Sequence, residues 1–173
     1  MTEKTKKTKK EKPKPQAMEA APRILSRKEV TEAEMRRSLL RREYTEEEAQ
    51  DAIARLLEYH YLDDARYARL FFSYAFGKNW GRRRAAQELR KKGVADETIR
   101  AALEELEEEA ETPDEFVLAK READRVLRMA ELGPADPVPQ KVSARIARRL
   151  AGRGFRETVI YEVLRGLPRE RGE

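Results

Sequence analysis

The stretch LRKKGVADETIRAAL, residues 89–103, returns as LAGRGFRETVIYEVL, residues 150–164, and this pairing decides the fold. Leu89, Val94, Ile99 and Leu103 fall on Leu150, Phe155, Ile160 and Leu164 at a constant offset of 61 residues, with Gly93 on Gly154. In the other direction, an offset of 50 residues brings Leu39, Tyr44, Ala49 and Ile53 of LLRREYTEEEAQDAI onto the same four positions. Each copy reads as the end of one helix, an apolar or aromatic residue in the turn, and a second helix with apolar residues four or five apart. A longer helix rich in aromatic or aliphatic residues precedes the second and third copies, over residues 65–76 and 116–130. The pattern predicts an all-α protein built from three tandem three-helix repeats. One such unit is too small to bury a core alone, so neighbours must stack in series into an elongated, curved, modular rod.

Start and stop signals divide the chain. Thr31 with Glu34 forms a capping box, Thr45 opens the next helix, and Asp63 or Asp64 opens the one after. Gly81 precedes RRRAAQELRKK, Gly93 closes it, Asp96 opens the following helix, Pro113 sits in the first turn of another, and GPADPVP interrupts the chain before QKVSARIARRL. Residues 1–22 hold seven lysines against three glutamates and almost no large apolar side chain, so they read as a disordered, solubilising tail. The expected organisation is that tail, then repeats over residues 23–61, 62–110 and 111–173, the first with a short opening helix.

Composition removes several function classes. The net charge of +5 comes mostly from the tail, leaving the body at +1. With no cysteine and one histidine, the chain has no disulfide framework, no Cys/His zinc site and no thiol nucleophile, and no cofactor is expected. No run approaches the roughly 18 apolar residues of a membrane span, so a cytoplasmic protein without a membrane partner fits best. No heptad seam persists long enough for a coiled coil, which makes a monomer the default.

The segment YHYLDDARYARLFF, residues 59–72, places the single histidine beside two aspartates. A catalytic or metal site would need further acids, imidazoles or a nucleophile, which the local sequence lacks. The structural reading is that Leu62 packs inward, Asp63 or Asp64 caps the next helix, and His60 ends the previous one in a left-handed conformation. Tyr67, Leu70, Phe71 and Tyr74 follow at helical spacing and read as core.

The middle helix of each copy is basic. Helical projection of the second copy puts Ala85, Ala86 and Leu89 on one side and Arg83, Arg84, Gln87, Arg90 and Lys91 on a solvent face. The repeat offsets bring Arg145 onto Arg84, Arg148 and Arg37 onto Gln87, and Arg41 onto Lys91. Arg37, Arg41, Arg83, Arg84, Arg90, Lys91, Arg145 and Arg148 therefore form the candidate binding face, a discontinuous stripe able to meet phosphates or an acidic protein groove.

YLDDARYA and GRRRAAQELRKKGV together resemble the RecX family of regulatory proteins. Tyr61, Leu62, Asp63, Asp64, Arg66, Tyr67 and Ala68 match its Tyr-Leu-Asp-Asp-x-Arg-aromatic-Ala hallmark, and Gly81, Ala85, Leu89, Lys92, Gly93 and Val94 fall on a second stretch. The likeness departs at His60, where glycine is usual, at Ala85, where a branched aliphatic is commoner, and in the long Lys-rich tail. The resemblance implies tandem three-helix repeats and inhibition of the RecA recombinase by binding its filament on single-stranded DNA, a role in DNA repair, recombination and the SOS response. It implies no catalysis, and it leaves direct contact with single-stranded DNA open. Helix, glycine-containing turn and basic helix also describe a sequence-specific helix-turn-helix DNA reader, the alternative on these residues.

Overall fold

The structure is a computed structural model that describes residues 16–109 and 112–169. Among the described residues it has nine helices and no strand: α1 Ala17–Leu25, α2 Glu32–Leu40, α3 Glu46–Glu58, α4 Asp64–Gly77, α5 Arg82–Lys92, α6 Asp96–Glu108, α7 Glu115–Met129, α8 Gln140–Gly152 and α9 Glu157–Arg165. They pack as three sets of three. Within each set every helix meets the other two, the tandem three-helix repeat that the sequence predicts.

Local chemistry places the helix starts. Thr31 and Thr45 both close capping boxes, with Glu34 and Glu48 returning the hydrogen bond to the cap backbone. The Asp63 carboxylate accepts from Arg66 N–H at 2.9 Å and opens α4. Gly93 ends α5 at φ 90°, a left-handed geometry that costs glycine little. Pro113 lies just outside α7, whose cap is Asp114, and α6 is preceded by Ala95, so that Asp96 is its first residue and adds negative charge to its first turn.

The first repeat begins earlier than expected. Ala17, Ala20, Ala21 and Ile24 are buried on one side of α1, which carries Pro22 inside it. A tail reaching residue 22 is therefore too long, because small side chains at this spacing let α1 lie close against α2 and α3. The rest of the expected tail, residues 1–15, lies outside the described residues.

Two hydrophobic cores, not three, hold the array together. Met35, Leu39, Tyr44, Leu56 and Leu62 belong to a core of the first repeat. Repeats two and three share the other, in which Phe72, Leu89 and Leu106 are continuous with Leu118, Leu150 and Phe155. The repeat positions Leu39, Leu89 and Leu150 are fully buried, and Tyr44, Val94 and Phe155 fill the three turns. In α9 the buried side chains are Val159 and Val163, while Ile160 and Leu164 pack only partly.

Candidate partner-binding face

The middle helices follow one another head to tail because at both junctions a carbonyl at the end of one is bonded by the cap residue of the next. At the first junction the Thr31 hydroxyl donates to the Lys92 carbonyl at 2.7 Å, so the end of α5 sits at the start of α2. At the second, the Gly81 N–H donates to the Arg153 carbonyl at 2.8 Å, so the end of α8 sits at the start of α5. Repeat offsets place Thr31 on Gly81 and Lys92 on Arg153. Both turns need glycine: a Cβ on Gly93 would overlap that of Ala33, and one on Gly154 would overlap the Arg84 backbone. The three basic middle helices therefore run in series in the order α8, α5, α2.

The basic residues differ in their individual states. Arg83 and Arg148 are exposed and make no ion pair among the described residues. Arg41 is exposed and bonds only weakly to Ser38 Oγ, at 3.4 Å, while Arg37 donates to the Lys92 carbonyl at 3.3 Å across the junction. Arg90 pairs with Asp96 at 2.5 Å and Lys91 with Glu88 at 2.8 Å, both on the surface, where such pairs exchange readily for another partner. Arg84 lies over the Trp80 ring at 4.0 Å and reaches the Gly152 carbonyl at 3.5 Å. Arg145 donates to the Val126 carbonyl at 3.2 Å, which turns its guanidinium toward α7.

The YLDD segment is structural in its geometry. His60 has φ 55°, the left-handed end of α3, and Leu62 is buried. The two aspartates divide their work, Asp63 capping α4 while Asp64 Oδ1 accepts from the Glu32 N–H at 2.9 Å and so caps α2 of the neighbouring repeat. Burial raises the Asp64 carboxyl above its ordinary value of 3.8, and repulsion from Asp63 and Glu34 adds to this against the hydrogen bond from Glu32. Glu32 is raised as well, by burial and then by Asp64. These acids line a 550 Å³ cleft with Arg36, Ile53, Leu57 and Gly93, at the junction of the first and second repeats.

Three features escaped the sequence reading. Glu122, on α7, is fully buried and gathers Arg149 at 2.8 Å, Arg153 at 2.9 Å and Asn79 at 3.2 Å. Burial opposes its charge, yet the hydrogen bonds from Arg149 and Asn79 and the Arg153 charge outweigh it and hold the carboxyl below 4.5. Glu115 is buried beside Arg156 at 2.6 Å. The third is the aromatic stripe, which is not core: α4 buries Ala68, Phe72, Ala75 and Phe76, whereas Leu70 and Tyr74 are exposed and Tyr67 and Phe71 half-buried. Ala68 and Ala75 give α6 the close approach that the rings would deny it.

Among the described residues there is no cluster of acids and imidazole able to hold a metal ion. Nor is any helix among them long and apolar enough to cross a membrane.

Comparison with known proteins adds to this geometry. The family model described as "RecX, first three-helix domain" matches residues 17–56, and that described as "RecX, second three-helix domain" matches residues 63–103. The chain is 34% identical over 149 residues to "Regulatory protein RecX" of Trichlorobacter lovleyi, covering 83% of this chain and 90% of the relative. It is 36% identical over 146 residues to the protein of the same name from Chromobacterium violaceum, covering 84% and 87%. Among solved structures, RecX from Lactobacillus salivarius superposes with a TM-score of 0.71 at 19% identity, over 86% of this chain and 92% of that one. The last likeness concerns the fold alone.

Proposed function

The chain belongs to the RecX family of regulatory proteins, and from that membership we propose that it binds the RecA filament on single-stranded DNA and inhibits its recombinase and ATPase activities. It does so as a non-enzymatic cytoplasmic monomer, through the basic residues on α8, α5 and α2, with the strand itself as a further contact. The observation that carries this reading is the head-to-tail order of the three middle helices, fixed by the Lys92 and Arg153 carbonyls. A filament presents its subunits and phosphates at regular intervals, and a serial array of cations can meet several of them at once. Arg83 and Arg148, free of internal carboxylates, are the cations whose charge is available without breaking an existing pair.

A helix-turn-helix reader is the weaker alternative. Such a reader inserts the N-terminal residues of its recognition helix into the major groove. Here the starts of α2 and α5 are covered by Lys92 and Arg153 of the following repeats.

ATP hydrolysis by the recombinase on single-stranded DNA, titrated with the full chain, tests the proposal. Inhibition well below one molecule per recombinase subunit is the expected result, weakened in an Arg83→Ala/Arg148→Ala double variant and most clearly at low salt. Unchanged turnover with the wild-type chain would overturn it.

A further inference from the structure

Tyr67, Phe71 and Tyr74 of α4 meet Trp80, which lies beyond the end of that helix; Tyr67, Phe71 and Trp80 pack against the edge of the shared core and Tyr74 is exposed. Phe71, Tyr74 and Trp80 make a three-ring cluster with centroids 6.0, 6.4 and 6.3 Å apart, and Tyr67 stacks on Phe71 at 6.4 Å. Cations lie on these rings: Lys78 is 5.7 Å above Tyr74 and Arg84 is 4.0 Å above Trp80. Neither cation is ion-paired among the described residues; Tyr74 is 54% exposed and Lys78 is exposed, while Trp80 and Arg84 are half-buried, with Arg84 also reaching the Gly152 carbonyl at 3.5 Å.

The repeat architecture does not require this face. Laying Phe72, Ala75 and Phe76 on Ala123, Val126 and Leu127 of the third repeat puts Phe71 on Glu122 and Tyr74 on Arg125. There the same place is closed by an ionic cluster, with Arg149 and Arg153 on Glu122. In the second repeat Lys92, the counterpart of Arg153, pairs with Glu34 and lies 6.0 Å from the Phe71 ring, so of this cluster Tyr74 is the ring left exposed.

We infer that this face binds single-stranded nucleic acid, with one base stacked on Tyr74 beside Trp80 and the flanking phosphates held by Lys78 and Arg84. Aromatic rings interleaved with basic residues are the chemistry by which unpaired strands are held without sequence preference. The Lys78 ammonium now over Tyr74 would move to a phosphate as the base takes its place. A duplex hides its base faces and gains only the electrostatic part. The inference deepens the strand contact included in the proposed function and rests on it for the choice of nucleic acid.

Trp80 is the only tryptophan of the chain, so its intrinsic fluorescence reports on this surface alone. The full chain is titrated with oligothymidylate and with an abasic deoxyribose-phosphate strand of equal length. The lysines outside the described residues serve both strands alike, and the difference isolates stacking. Quenching of Trp80 and affinity about tenfold higher for the base-bearing strand are expected, lost in Tyr74→Ala and retained in Tyr74→Phe. Equal binding of both strands, or an unquenched Trp80, would overturn the inference. Equal quenching by a duplex of the same length would overturn it too. The two readings fail separately: a stacking signal without ATPase inhibition removes the regulatory proposal, and ATPase inhibition without a stacking signal removes this one.

Discussion

Asp64 Oδ1 accepts a hydrogen bond at 2.9 Å from the backbone N–H of Glu32, the first residue of a helix in the neighbouring repeat. The second aspartate of the YLDD segment is thus a cap supplied in trans, and it ties repeat two to repeat one. Replacing it tests that role. Asp64→Ala removes the acceptor and is expected to cost about 1 kcal/mol. Asp64→Asn keeps an acceptor oxygen while removing repulsion from Asp63 and Glu34, and should leave stability at neutral pH unchanged or slightly higher. Urea unfolding of the two variants checks both signs, and a loss in Asp64→Asn equal to that in Asp64→Ala would deny the capping role.

Acid should act on the two junctions in opposite directions. Asp64 and Glu32 have carboxyls raised in the folded chain, so their contribution is fully present below the unfolded values of 3.8 and 4.5 and is lost as pH rises through the folded ones. Glu122 is lowered, so its contribution is present above 4.5 and is lost as pH falls through its folded value. Glu122→Gln should therefore be less stable than wild type at neutral pH by about 1–3 kcal/mol. The gap should narrow as pH falls below 4.5 and through the lower folded value. Thermal melts across that range measure it; a gap independent of pH would mean that the charge of Glu122 contributes nothing.

His60 occupies a left-handed position at φ 55° with no ion pair or hydrogen-bonded partner for its ring among the described residues. Glycine adopts that conformation without the clash of a Cβ with the following carbonyl. His60→Gly is expected to stabilise the fold by up to about 1 kcal/mol and to leave inhibition of the recombinase unaltered. A loss of inhibition in a fully folded His60→Gly protein would return the histidine to the list of functional residues.

Much of this was legible because the repeat is written in its apolar positions. Leu39, Leu89 and Leu150 are buried by the same packing three times over, and such a period survives any change of surface residues. The left-handed His60 was legible from the few side chains that tolerate that conformation. The start of α1 was not, since alanines add little hydrophobic weight and reveal themselves as core only when a second helix lies against them. The aromatic stripe failed for a related reason. Tyr67, Phe71 and Tyr74 run beside Ala68, Phe72 and Ala75 along the same helix, and only the closeness of α6 decides which stripe turns inward. Glu122 looks like any surface acid until Arg149 and Arg153 arrive from another helix and Asn79 from another repeat.

Two glycines near the end of α8 give the sharpest test of the second junction. Gly152 is the last residue of the helix, and a Cβ there would meet nothing within 4 Å. Gly154 has φ 79° and its added Cβ would overlap the backbone of Arg84 at the start of α5. Gly152→Ala should stabilise by up to about 1 kcal/mol through helix propensity and unfolded-state entropy. Gly154→Ala must both strain its backbone and push α5 away from the Arg153 carbonyl, so it should destabilise by more than about 1 kcal/mol. Because repeats two and three share one core, the loss should appear as a lower midpoint of a single cooperative transition covering both, not as separate melting of the third repeat. If Gly154→Ala behaved like Gly152→Ala, the close seat of α8 on α5 would be wrong, and with it the serial order of basic helices on which the proposed face relies.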